Sequence, residues 1–181
     1  MLALALALGT CLAQPAAAQT RPQPELQELQ DLLPQGRLVG SGGLRIFGFK
    51  IYDAQLWASP GLRADNFATQ ALALELRYLR AFEGQAVAER SISEMRRAGP
   101  LSEELADRWT AALRSLLPDV KNGDRIMGVH RPGVGATFWM NGKPLGEIRD
   151  AEFARRFFGI WLSPATSEPD LRKALLAGAG S

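Results

Sequence analysis

The run Leu44-Arg45-Ile46-Phe47-Gly48-Phe49-Lys50-Ile51-Tyr52 brings together an arginine, a lysine and a tyrosine, the side chains that hold a carboxylate or an enolate-like oxygen. Gly48-Phe49 fits a two-residue type II′ turn, because glycine takes the positive φ that the first central position demands. Such a turn pairs Phe47 with Lys50, Ile46 with Ile51 and Arg45 with Tyr52, and directly opposed residues project from one face of a hairpin. Arg45, Lys50 and Tyr52 are therefore expected on a common face, as an anion-holding group. The bland alternative for the same residues is a plain cross-strand pair or a surface cation–π contact.

The remaining inventory is thin. His130 is the single imidazole and stands beside a turn with no acidic neighbour, so a structural or solvent-facing role is expected of it. Cys11 is the single cysteine, and one Cys and one His do not make a zinc site. No metal or other cofactor is expected. The glycines at 40–43 and 133–135 open no helix and precede no Gly-Lys-Ser/Thr, which makes them strand and turn glycines rather than a phosphate cradle. Asp124, in Asn122-Gly123-Asp124, reads as a turn residue as readily as a catalytic carboxylate, and Arg96 and Arg97 read as a solvated face. With 21 Lys+Arg against 19 Asp+Glu, well interspersed, the chain lacks the basic stripe that nucleic acid requires.

The elements that position these residues follow from periodicity. At 181 residues and 46% hydrophobic the chain has the length of one domain with a sizeable core. Residues 1–18 are uncharged, begin in a Leu/Ala run too short to span a bilayer and end in Ala16-Ala17-Ala18, which reads as a cleaved export signal and predicts a periplasmic or secreted protein without stable membrane insertion. Cleavage there would remove Cys11. Residues 19–35 form a lead-in, with a helix predicted over 24–33 between Pro24 and Pro34; the domain proper is 36–181. Its strands are expected on both sides of Gly48 and over 71–80, where Leu72, Leu74, Leu76 and Tyr78 alternate with other residues. A helix over 85–98 and a second capped by Ser102 come next, then a strand meander punctuated by Asn122-Gly123, Pro132-Gly133 and Asn141-Gly142. Asp150 is expected to cap a helix with the apolar stripe Phe153, Phe157, Ile160 and Trp161, and Ser167 to cap a last one. Strands, helices, strands and helices in that order predict an α+β domain, an antiparallel sheet with helices on one face.

Residues 40–58, GSGGLRIFGFKIYDAQLWA, resemble the Gly-x-x-Arg strand and the following Lys-hydrophobic-Tyr strand of the chalcone isomerase-like superfamily, in particular its bacterial secreted branch. The long helix ending in Ala98-Gly99, the GATFWMNGKPLGEIRD hairpin and FFGIWLSPATSEPDLRKALL resemble later parts of that family in order and spacing, over about residues 36–177. The resemblance implies an open-faced β-sandwich, a curved antiparallel sheet with helices layered against it and an apolar cleft between. It also implies one of two activities. Plant members close a chalcone to a flavanone without a cofactor, whereas non-catalytic members hold a fatty acid through an Arg and a Tyr. Arg45 and Tyr52 match that Arg and Tyr; where the isomerases place a Thr, this chain has Tyr52. The isomerases' helix Asn corresponds to Arg90 and their catalytic Tyr to a position near Glu83.

The expected function is thus a non-catalytic binder of a small fatty or aromatic acid, with Arg45, Lys50, Tyr52, Tyr78 and Arg90 as candidate ligand contacts. The runner-up is a cofactor-independent isomerase or lyase in which Arg45 stabilises an oxyanion. A third is a structural or partner-binding protein exposing the Phe157/Trp161 stripe.

Overall fold

The computed structural model describes residues 29–180. The predicted export signal 1–18 and the start of the helix predicted over 24–33 lie outside the described residues, while residues 29–32 are helical. Six antiparallel strands form one sheet in sequence order: β1 (Arg37–Ile46), β2 (Phe49–Ala58), β3 (Leu72–Tyr78), β4 (Arg125–Arg131), β5 (Gly135–Met140) and β6 (Lys143–Ile148). Between β3 and β4 the chain makes α1 (Gly84–Arg97) and α2 (Glu103–Leu116), and after β6 it makes α3 (Ala151–Leu162) and α4 (Pro169–Leu175). The α+β architecture, an antiparallel sheet with helices packed on it, is that expected from the sequence.

Alternation along the strands separates the two faces of the sheet. Leu72, Leu74, Leu76 and Tyr78 of β3 point to one side, where they join Ala88, Ile92 and Met95 of α1, Trp109 and Leu113 of α2, and Phe153, Phe157, Phe158 and Trp161 of α3 in the main core. The α3 aromatics form a continuous edge-on and stacked series, Phe138 to Phe157 at 5.2 Å, Phe157 to Phe153 at 5.5 Å and Phe157 to Trp161 at 5.5 Å. The Phe157/Trp161 stripe is therefore interior, not an exposed patch. Ala73, Met127 and Val129 point to the opposite face, where Leu29 and Leu33 of the lead-in cover them as a second, smaller core.

Capping fixes the helix ends. Ser102 Oγ accepts from the Leu105 amide at 3.3 Å, and Asp150 Oδ1 accepts from the Phe153 amide at 3.0 Å. The other Asp150 oxygen takes Trp109 Nε1 at 3.0 Å and Arg108 at 2.9 Å, tying α2 to α3. The last helix departs from expectation: Glu168, not Ser167, is its cap residue and makes no side-chain cap bond. Pro169, with φ already helical and no N–H to satisfy, lets α4 begin one residue later. That helix lies directly on β1, where a Cβ at Gly40 would fall 2.2 Å from the Ala174 carbonyl oxygen, so only glycine permits the approach.

The β1–β2 turn also differs from the expected one. Phe47 and Gly48, with φ of 50° and 81°, are its central residues, which is a type I′ turn shifted by one residue from the predicted Gly48-Phe49 pair. Ile46 pairs with Phe49 and Arg45 with Lys50; a bulge then makes Leu44 the partner of Tyr52. Arg45 and Tyr52 are therefore not opposed.

Candidate functional site

Between the β1–β2 hairpin, the sheet and helices α1 and α3 lies a cavity of about 360 Å³. Its size is within the range of small-molecule sites. Leu44 and Ile46 of β1 and Ile51 of β2 form the hairpin wall, and Tyr52, Leu76, Tyr78 and Ile126 form the sheet wall. Val87, Arg90, Ser91 and Glu94 of α1 face them, and Phe157, Ile160 and Trp161 of α3 close the back. The bulge matters here. In a regular strand Ile51 and Tyr52 would point to opposite faces, but the extra residue lets both line the cavity.

Two phenols supply the most deeply buried polar groups of this wall. Tyr52 and Tyr78 are directly opposed across β2 and β3, with ring centroids 6.1 Å apart at 70°. The Tyr52 hydroxyl accepts a 2.9 Å hydrogen bond from Trp161 Nε1, which leaves its own proton available to donate. Burial pushes its pKa from 10.0 up to about 12, against the lowering effect of the Trp161 bond. Tyr78 is only 5% exposed, and no described residue forms a hydrogen bond with its hydroxyl. Burial, with Tyr52 adding a smaller push, raises the Tyr78 pKa as well. At neutral pH both are protonated donors, and neither supplies a phenolate base.

The α1 wall carries the charges. Glu94 is 9% exposed and pairs with Arg90 at 2.6 Å, one helical turn away, and with Arg97 at 3.6 Å. Arg90 itself is largely solvent-facing, at the cavity rim. Ser91 Oγ is engaged, donating to the Val87 carbonyl at 2.8 Å. Ser167 and Glu168 complete the rim.

Of the residues expected to contact a ligand, Tyr52, Tyr78 and Arg90 line the cavity together. Arg45 and Lys50 oppose one another on the exposed hairpin and lie outside the lining, because the turn sits one residue earlier than predicted and the bulge shifts the register beyond it. The sequence reading missed Glu94 and the Trp161–Tyr52 bond. The i,i+4 spacing of Arg90 and Glu94 was a usable signal for the first; the second joins residues 109 positions apart and left none. His130 is a core residue, with Nδ1 at 2.9 Å from the Gln70 carbonyl oxygen, and burial lowers its pKa. Asp124 accepts from the Lys121 amide at 2.8 Å and from Asn141 Nδ2 at 3.0 Å, as a turn residue does. Among the described residues no group of three His, Cys, Asp or Glu side chains is placed to hold a metal ion.

An open antiparallel sheet backed by helices, with an apolar cavity under its first hairpin, defines an open-faced sandwich. The chain belongs to the chalcone isomerase-like family, whose sequence pattern it matches over residues 35–177. It is 27% identical over 128 residues to an uncharacterized protein of Haemophilus influenzae, an alignment covering 71% of this chain and 61% of that one, so less than two thirds of the relative is spanned. The fold is shared with the crystal structure of a fatty-acid binding protein of Arabidopsis thaliana, at a TM-score of 0.61 and 14% identity over 78% of this chain and 87% of the other.

Proposed function

We propose that the protein is a non-catalytic binder of a small amphipathic acid, acting in the periplasm or outside the cell. The observation that carries this reading is the apolar cavity with the Tyr78 hydroxyl buried in its wall and hydrogen-bonded to no described residue. A buried donor without an acceptor is costly, and a ligand oxygen in the cavity removes that cost. Tyr52 offers a second O–H beside it, and Arg90 at the rim offers a cation. The carboxylate of an acid accepts from both phenols, while Arg90 and Arg97 offset the neighbouring Glu94.

The tail is accommodated by the aliphatic and aromatic walls. Each buried CH₂ contributes about 0.8 kcal/mol, so a tail of about ten carbons supplies roughly the gross free energy of a micromolar complex before ordering costs. The head-group bonds then offset those costs. The fatty-acid binding protein that shares the fold supports this ligand class, and the uncharged, Leu/Ala-rich 1–18 segment supports export.

Native mass spectrometry of the protein purified under mild conditions tests the reading. A stoichiometric acid, identified after denaturing extraction and diminished in Arg90→Ala and Tyr78→Phe, is the expected result. A ligand-free mass that stays unchanged when decanoate is added would overturn it.

A further inference from the structure

The two tight hairpins of the sheet make an internal comparison. At the β5–β6 turn Asn141 and Gly142 have φ of 50° and 81°; at the β1–β2 turn Phe47 and Gly48 have the same pair of values. Asparagine suits that left-handed position, and Asn141 also uses its side chain to accept from the Arg125 amide and donate to Asp124. Phenylalanine suits it poorly, and Phe47 returns nothing to the fold, since it is 95% exposed. Phe49, on the other side of the turn, is 58% exposed and Ile46 is 38% exposed. The hairpin tip is thus an apolar wedge held in solvent by a strained backbone.

Cations surround it. Arg45 and Lys50 flank the tip as an opposed pair, and the Arg80 guanidinium stands 4.7 Å over the Phe49 ring. Among the described residues none of the three has an ion-pair partner; the nearest acids in sequence are Asp53 and Glu83, neither of them bonded to these cations. An aromatic wedge ringed by unpaired Arg and Lys is complementary to the water–hydrocarbon boundary of an anionic bilayer. A protein partner would be expected to call for shape as well, and a two-residue turn offers little.

We propose that the β1–β2 tip docks the protein on anionic lipid, Phe47 and Phe49 entering the interface while Arg45, Lys50 and Arg80 meet the phosphates. The tip adjoins the cavity through Ile46, which lines its hairpin wall, so docking brings that wall of the cavity to the membrane. That second step, exchange of an acid between bilayer and cavity, rests on the binder reading above; the docking does not.

Vesicle flotation with phosphatidylglycerol/phosphatidylcholine mixtures and with phosphatidylcholine alone tests it. Phe47→Asn installs the residue the turn prefers, so the variant should melt no lower than the wild type. The expected results are partition onto anionic vesicles that falls with salt, drops about tenfold or more in Phe47→Asn, and drops about fivefold for each of Arg45→Ala and Lys50→Ala. Equal partition of wild type and Phe47→Asn would overturn the proposal, as would absence of wild-type partition at low salt. A Phe47-dependent dimer without vesicle binding would likewise overturn it, making the tip a subunit interface. Decanoate binding in vesicle-free solution should be retained by Phe47→Asn. Its loss in the wild type with docking intact would remove the binder reading alone, and its retention without docking would remove this inference alone.

Discussion

Replacing Tyr78 with phenylalanine should strengthen the empty protein and weaken the complex. The Tyr78 ring is packed against Tyr52 at 6.1 Å and Phe82 at 6.0 Å, contacts that a phenylalanine ring keeps. What the substitution removes is a buried hydroxyl that no described residue satisfies. An unsatisfied buried polar group costs about 1–3 kcal/mol, so the ligand-free variant should gain about 1 kcal/mol once solvent reaching the cavity is allowed for. In a domain of this size that is a rise in Tm of about 2–4 °C. In the complex the same hydroxyl donates to a carboxylate, a charged bond worth about 1.5–3 kcal/mol, so decanoate binding should weaken by about 10- to 100-fold. Decanol, an uncharged acceptor, should lose less than about tenfold. Thermal unfolding without ligand and calorimetric titration with both ligands give the two signs separately. A lower Tm would show that the hydroxyl is satisfied within the fold, and an unchanged decanoate affinity would show that it does not meet the head group; either refutes the reasoning.

Other perturbations probe the same structure. The Tyr52 pKa is raised from 10.0 to about 12 by burial, so the folded state holds a proton that the unfolded chain releases first; stability is intact below pH 10 and is lost as pH rises toward 12, by about 2–3 kcal/mol, and urea unfolding across that window should show a shallower loss in Tyr52→Phe/Tyr78→Phe. For His130 the sign is opposite: burial lowers its pKa below 6.5, the unfolded chain takes up the proton first, and stability falls as pH drops below that value, a slope that His130→Gln should reduce in acid unfolding curves. Gly40→Ala drives a methyl to 2.2 Å from the Ala174 carbonyl, which α4 relieves only by lifting from β1; a loss of at least about 2 kcal/mol in chemical denaturation is expected, and a neutral result would mean that α4 is loosely held.

How much of this was legible in the sequence depends on the range of the interaction. Apolar patterning placed β1 to β3 and α1 to α3, because one buried face imposes it locally, the Asn-Gly and Pro-Gly turn signals separated β4 to β6, and Ser102 and Asp150 announced their caps through chemistry within three residues. The order of strands and helices predicted helices layered on a sheet, and the family resemblance added the apolar cleft between them, which no local signal carries. The site was read less well. Gly48-Phe49 and Phe47-Gly48 are both admissible turns for the same five residues, and the glycine preference favours the first; the strained Phe47 at φ 50° cannot be anticipated from propensity. The bulge at Ile51 then reassigns Tyr52 from Arg45 to Leu44, and a one-residue shift of this kind moves whole side chains between faces. Tyr78 and Arg90 reach the cavity because strand alternation and helix phase are robust to such shifts. The Trp161 bond to Tyr52 depends on how α3 packs, which only the folded chain specifies.

The most direct test of the central claim is a crystal structure of the protein with decanoate. The account predicts the alkyl chain between the hairpin wall and helices α1 and α3, with a carboxylate oxygen within hydrogen-bond distance of Tyr78 Oη and Arg90 on the solvent side. A carboxylate held instead by Arg45 and Lys50 on the outer hairpin, or a cavity without the acid at saturating concentration, would contradict it.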